Sequence, residues 1–120
     1  MRGTLLTMPY SRGDVLLVNF VFAQGFGARR RPAVVLSSDA YHQGRQEAIV
    51  AAITSNVSRV LVGDHPISGW RQAGLLYPSV ATGIIRTIKQ HMIARRLGAL
   101  PSDDLAGVGR QVSAYLGLDS

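Results

Sequence analysis

At 120 residues the chain has the length of one domain, and 47% hydrophobic against 17% charged residues sets it far from the charge-rich composition of disordered chains. It contains no cysteine, which excludes a disulfide framework and a thiolate metal site, and no stretch reaches the roughly 20 apolar residues that span a bilayer. A net charge of +6, with twelve of the thirteen basic residues Arg, favours a polyanionic partner, because a guanidinium matches phosphate oxygens in pairs.

Residues 1–10 read as a tail before a single domain over 11–120, with no internal repeat or linker. The tail has no continuous apolar segment of a secretory signal, so a cytoplasmic address without membrane association is expected. Val15 to Phe22 is a short Val- and Phe-rich run between Gly13-Asp14 and Gly25-Phe26-Gly27, which predicts a buried strand followed by a flexible loop. A second strand is expected over Pro32 to Ser37, with Pro at its first position where a missing N–H is tolerated. Asp39 to Arg45 should turn the chain, and the apolar run Ile49 to Ile53 predicts a central strand over Glu47 to Ser55.

Arg59 to Val62 and the segment around Pro66-Ile67 read as a strand pair closing through Gly63-Asp64. Trp70 to Tyr77 has a mixed pattern, and Val80 to Ile88 is expected as a further strand. Pro101-Ser102 starts a helix, with Asp103 and Asp104 in the first turn where the helix dipole favours them and Gly117 at the end. Leu105, Val108, Val112, Tyr115 and Leu116 recur at spacings of three and four and share one face of it. Short strands followed by one good helix predict a mainly β fold with helices: a curled, mostly antiparallel sheet or small barrel with helical caps.

Arg29-Arg30-Arg31 ends the glycine loop and stands just before a strand, so Arg31 is the best anchored of the three. Taken alone, the cluster is as readily a solvated loop as a binding site. Thr54-Ser55-Asn56 brings hydroxyls and an amide to the end of an apolar strand, where such groups usually satisfy the following turn. His42, His65 and His91 do not stand at metal-ligand spacing, and there is no phosphate-binding glycine motif and no nucleophile elbow. No metal and no cofactor are therefore expected. His42 in a loop has the chemistry of a general base, though a surface histidine without catalytic duty is commoner.

Gly13-Asp14-Val15, Arg31-Pro32-Ala33-Val34-Val35-Leu36-Ser37-Ser38 and Ala51-Ala52-Ile53-Thr54-Ser55, in this order and spacing, resemble the MazF/PemK family of toxin endoribonucleases. The resemblance continues through Trp70-Arg71-Gln72-Ala73-Gly74-Leu75-Leu76, Pro78-Ser79-Val80, Ile85-Arg86-Thr87-Ile88 and Leu97-Gly98-Ala99-Leu100, and ends at Tyr115-Leu116-Gly117-Leu118. It implies an SH3-like small β-barrel with a C-terminal helix, a homodimer, a cognate antitoxin, and sequence-specific cleavage of single-stranded RNA. The family's catalytic arginine falls on Arg31 and its catalytic threonine on Thr54. Arg29 and Arg30 would hold flanking phosphates, with Ser55 and Arg86 among the RNA-binding residues. Gln24, Phe26, Tyr41 and His42, as loop residues, are candidates for stacking or base-edge contacts.

Many relatives carry polar residues before the Arg-Pro step where this chain has Gly25-Phe26-Gly27-Ala28, which puts base contacts from that loop in doubt. Two other readings fit a basic barrel: a gyrase poison resembling CcdB, and a catalytically silent nucleic-acid-binding barrel. The Arg31 and Thr54 pair favours the nuclease.

Overall fold

In β1 (Asp14–Val21) successive side chains turn to opposite faces, so Val15 joins one apolar cluster while Leu16, Val18 and Phe20 join another. The computed structural model describes residues 10–21 and 28–118. The chain continues through β2 (Ala28–Val35), α1 (Asp39–Arg45), β3 (Glu47–Thr54), β4 (His65–Pro66), β5 (Val80–Lys89), a short 3-10 turn (Gln90–Met92), β6 (Ile93–Ala99) and α2 (Ser102–Tyr115). The six strands form one sheet in the order β4-β5-β3-β2-β1-β6, and every recorded pair is antiparallel.

The mainly β architecture with helices is as expected, but the strand order is open, with β4 and β6 at the edges, rather than that of a closed barrel. Strand β3 and the Ala33–Val35 end of β2 are buried on both faces, which is why those segments read as near-continuous apolar runs, whereas Arg29, Arg30 and Arg31 at the other end of β2 are exposed. On one face Val15, Val34, Ala51 and Ile53 pack beneath Ile67, Ala73, Leu75 and the apolar stripe Leu105, Val108 and Val112 of α2. On the other, Leu16, Val18, Ala33, Val35, Val50 and Ile88 enclose Tyr10.

Asp104 ties α2 to the segment after β4. It is 2% exposed, accepts from His65 Nε2 at 2.9 Å and from the backbone N–H groups of Ser68 at 2.9 Å and Gly69 at 2.8 Å. Gly107 leaves the space on α2 that the His65 ring fills.

Four local expectations are corrected. Arg29-Arg30-Arg31 lies inside β2 rather than in a loop before it, because β1 is long enough to pair with the whole run. Asp39 to Arg45 is a helix, started by the Ser38 hydroxyl accepting from Tyr41 N at 3.2 Å and ended by Gln46 at φ 56. Residues 59–62 form no strand, since Asp64 folds them locally: its carboxylate accepts from Leu61 N at 2.9 Å and its own N–H donates to Leu61 O at 3.1 Å. Only His65 and Pro66 then pair with β5. Finally, β6 has no counterpart in the sequence reading, because two register shifts against β1 break its alternation. The glycine loop at 25–27 and the tail residues 1–9 lie outside the described residues.

Candidate active site

Pro32 has no N–H to donate, and the β2–β3 ladder runs only from Val35↔Val50 to Ala33↔Ala52. Two residues beyond its last pair, Arg31 and Thr54 come abreast on the same face of the sheet. Past that point the strands part around an opening of about 530 Å³ that both residues line. Ser55 and Arg95 add polar groups, Leu17, Ile53 and Leu97 give apolar walls, and no carboxylate lines it.

Thr54 Oγ1 accepts from Asn56 N at 3.1 Å, a turn that fixes the hydroxyl oxygen and leaves its proton to donate elsewhere. Arg31 is exposed and has no hydrogen-bond or ion-pair partner among the described residues. A guanidinium and a hydroxyl donor on one face, beside apolar walls, suit an oxyanion such as a phosphoryl group.

The other sequence candidates divide. Arg29 pairs with Phe20 and Arg31 with Val18, which places both arginines on the Phe20 face. Arg86, opposite Val50 on β5, shares that face, its guanidinium 5.0 Å from the Phe20 ring centre. Arg30 turns to the opposite face and donates from Nε to Asn19 Oδ1 at 3.0 Å. Ser55 lines the opening.

Tyr41 and His42, expected in a loop, stand in α1. His42 is 0% exposed: its Nε2 shares a 2.7 Å hydrogen bond with Ser37 Oγ, and its ring meets Tyr10 edge-on at 4.7 Å. Burial pushes its pKa below the ordinary histidine value, against the opposing pull of Asp39 and Asp14. It presents no surface to a ligand. Gln24 and Phe26 lie outside the described residues.

Sequence reasoning missed Arg95 and the exposed pair Leu76 and Tyr77, which also line the opening. Nothing in the pattern of residues 70–77 separates those two from a loop, and Arg95 needs the β6 register to be placed. Among the described residues no three His, Cys, Asp or Glu side chains cluster, and no helix is long and apolar enough to cross a membrane.

Solved structures share this fold. One, an endoribonuclease from a mycobacterial species, is 15% identical with TM-score 0.74, over 95% of this chain and 97% of that one. A second, a mycobacterial endoribonuclease in complex with its cognate antitoxin, is 18% identical with TM-score 0.73, over 92% and 98%. A third, the MazE-MazF structure from Deinococcus radiodurans, is 23% identical with TM-score 0.70, over 90% and 95%. At such identities the likeness is one of fold. No curated protein sequence matches the chain. The family is established by a direct match: residues 11–116 fit the PemK-like, MazF-like toxins of type II toxin-antitoxin systems, and the chain belongs to that family.

Proposed function

We propose that this toxin is a metal-independent endoribonuclease that cuts single-stranded RNA at short sequences. The observation that carries the reading is Arg31 and Thr54 abreast at the end of the β2–β3 ladder, lining one carboxylate-free opening. RNA brings its own nucleophile. The 2′-oxygen bonds to the adjacent phosphorus as the P–O5′ bond breaks, the 2′-hydroxyl loses its proton and the leaving 5′-oxygen gains one. The products are a 2′,3′-cyclic phosphate and a 5′-hydroxyl.

The chain's part is to hold the backbone in line and to stabilise charge growing on phosphoryl oxygens. Arg31 supplies the fixed charge and stabilises the leaving group, while Thr54 donates a hydrogen bond to a phosphoryl oxygen. Arg29 and Arg86, on the same face as Arg31, attract flanking phosphates with an affinity that falls as salt rises, and Arg30, on the opposite face, adds to the positive field around them. Ser55 borders the bound strand.

The same reading makes the protein a cytoplasmic homodimer formed by a single domain over 11–120, held inactive by a cognate antitoxin. An acidic partner segment laid over the arginine face would neutralise it and exclude RNA.

The test is incubation with a long single-stranded RNA in EDTA, with mass analysis of the fragment ends. Discrete fragments bearing cyclic phosphate support the reading. Binding without scission overturns it and leaves a silent binder, and inhibition of supercoiling without scission would mark a gyrase poison.

A further inference from the structure

Arg95 and Arg96 are consecutive on the edge strand β6 and so turn to opposite sides. Arg96 is committed: its Nε lies 3.1 Å from Asp14 Oδ2 and its Nη2 donates to Asp14 Oδ1 at 3.2 Å. Arg95 has no hydrogen-bond, ion-pair or ring partner among the described residues, and it lines the opening that holds Arg31 and Thr54. Charge on an edge strand deters sheet-to-sheet pairing. That accounts for arginine on β6, but not for one being neutralised while the one at the opening stays bare.

The ladder fixes where Arg95 stands. Leu17 of β1 pairs with Pro32 of β2 on one side and with Arg95 of β6 on the other. Arg95 is therefore level with Pro32, two strand spacings or about 10 Å across the sheet; alternation turns Arg95 to the Leu17 face and Arg31, the residue before Pro32, to the Val18 face, and both border the opening. Leu17 of β1 stands between their strands and Leu97 of β6 lines the same opening, and neither offers a carboxylate to compete for either guanidinium. Two cations on opposite rims of one acid-free opening fit a chain of regularly spaced anions better than a single small anion.

Resting on the nuclease reading, we propose that Arg95 is a substrate-positioning residue that binds a backbone phosphate adjacent to the scissile one, so that bound RNA crosses the strand ends from β3 toward β6. Arg95 then adds to binding and leaves the chemical step to Arg31 and Thr54.

The test compares wild type, Arg95→Ala, Arg95→Lys and Arg96→Ala in cleavage of a mixed-sequence single-stranded RNA between about 50 and about 200 mM salt, with thermal melts to confirm folding. Arg95→Ala should raise KM about tenfold at the low-salt end while kcat stays within about twofold. It should also flatten the slope of log KM against log salt by about 0.7, the value for one lost phosphate contact on a single strand. Arg95→Lys should restore the slope, because a point charge suffices there, and Arg96→Ala should change neither quantity.

A wild-type KM and slope in Arg95→Ala overturn the proposal, as does an equal effect from Arg96→Ala or a fall in kcat at unchanged KM. If wild type leaves the RNA intact, the nuclease reading itself fails. The salt slope of anisotropy-measured binding to the same RNA then still decides whether Arg95 touches phosphate.

Discussion

Replacing Asp104 by Asn should destabilise the fold by about 2–4 kcal/mol. The carboxylate is buried and accepts from three donors, His65 Nε2 and the N–H groups of Ser68 and Gly69. An asparagine has one acceptor oxygen, so its NH2 must face at least one of these donors. A buried donor left unsatisfied costs about 1–3 kcal/mol, and the surviving hydrogen bonds lose the strength that charge gave them. With a urea m-value of about 2 kcal/mol/M, typical of small domains, the midpoint should fall by about 1–2 M at unchanged m.

The pH dependence carries a second signature. Burial raises the Asp104 pKa, but hydrogen bonds from His65, Gly69 and Ser68 outweigh it and leave the carboxyl below the ordinary value of 3.8. The stability it contributes is therefore present above pH 3.8 and is lost as pH falls through the folded value. Asp104→Asn should lack that part of the acid limb. A midpoint shift below about 0.3 M, or an acid limb identical to wild type, would refute the reasoning.

Gly74→Ala should cost roughly 2 kcal/mol or more, because φ is +83 there and a Cβ would collide with the Leu97 carbonyl; urea unfolding checks it. His42 titrates below the ordinary 6.5 because it is buried, so the stability its neutral form contributes is present above pH 6.5 and declines as pH falls toward the depressed folded value. Urea midpoints at stepped pH should show this limb in wild type and not in His42→Gln; a limb shared by both would contradict the assignment. Arg31→Lys should retain part of RNA binding but lose about tenfold or more in single-turnover cleavage, since an ammonium lacks the planar donor fork. Cleavage at the wild-type rate would show that charge alone suffices.

The elements that were legible are those whose burial imposes a period. β1, β3 and β5 announce themselves by short apolar runs, and α2 by its three-and-four spacing and its acidic first turn. Illegible elements owe their form to partners elsewhere in the chain. Three arginines make a poor solitary strand, yet β1 supplies a complete ladder for them. β6 is paired through two register shifts, which no local alternation reveals.

The burial of His42 follows from Ser37 and Tyr10 closing around α1, whereas the composition of Asp39 to Arg45 suggests a surface turn. At the candidate site, Arg31 and Thr54 stand out in the sequence through the family resemblance, and the sheet register brings these strand positions, 23 residues apart, abreast at one opening. Arg95 carries no motif, and only the cross-strand relation to Leu17 brings it to the opening.

The most direct measurement is the single-turnover rate of single-stranded RNA cleavage in EDTA by wild type, Arg31→Ala and Thr54→Ala at matched protein concentration. Removing a transition-state donor typically costs about a hundred- to a thousand-fold, and the account predicts a loss of that order in each variant with folding intact. Fragments from wild type that persist at the same rate in both variants would contradict it.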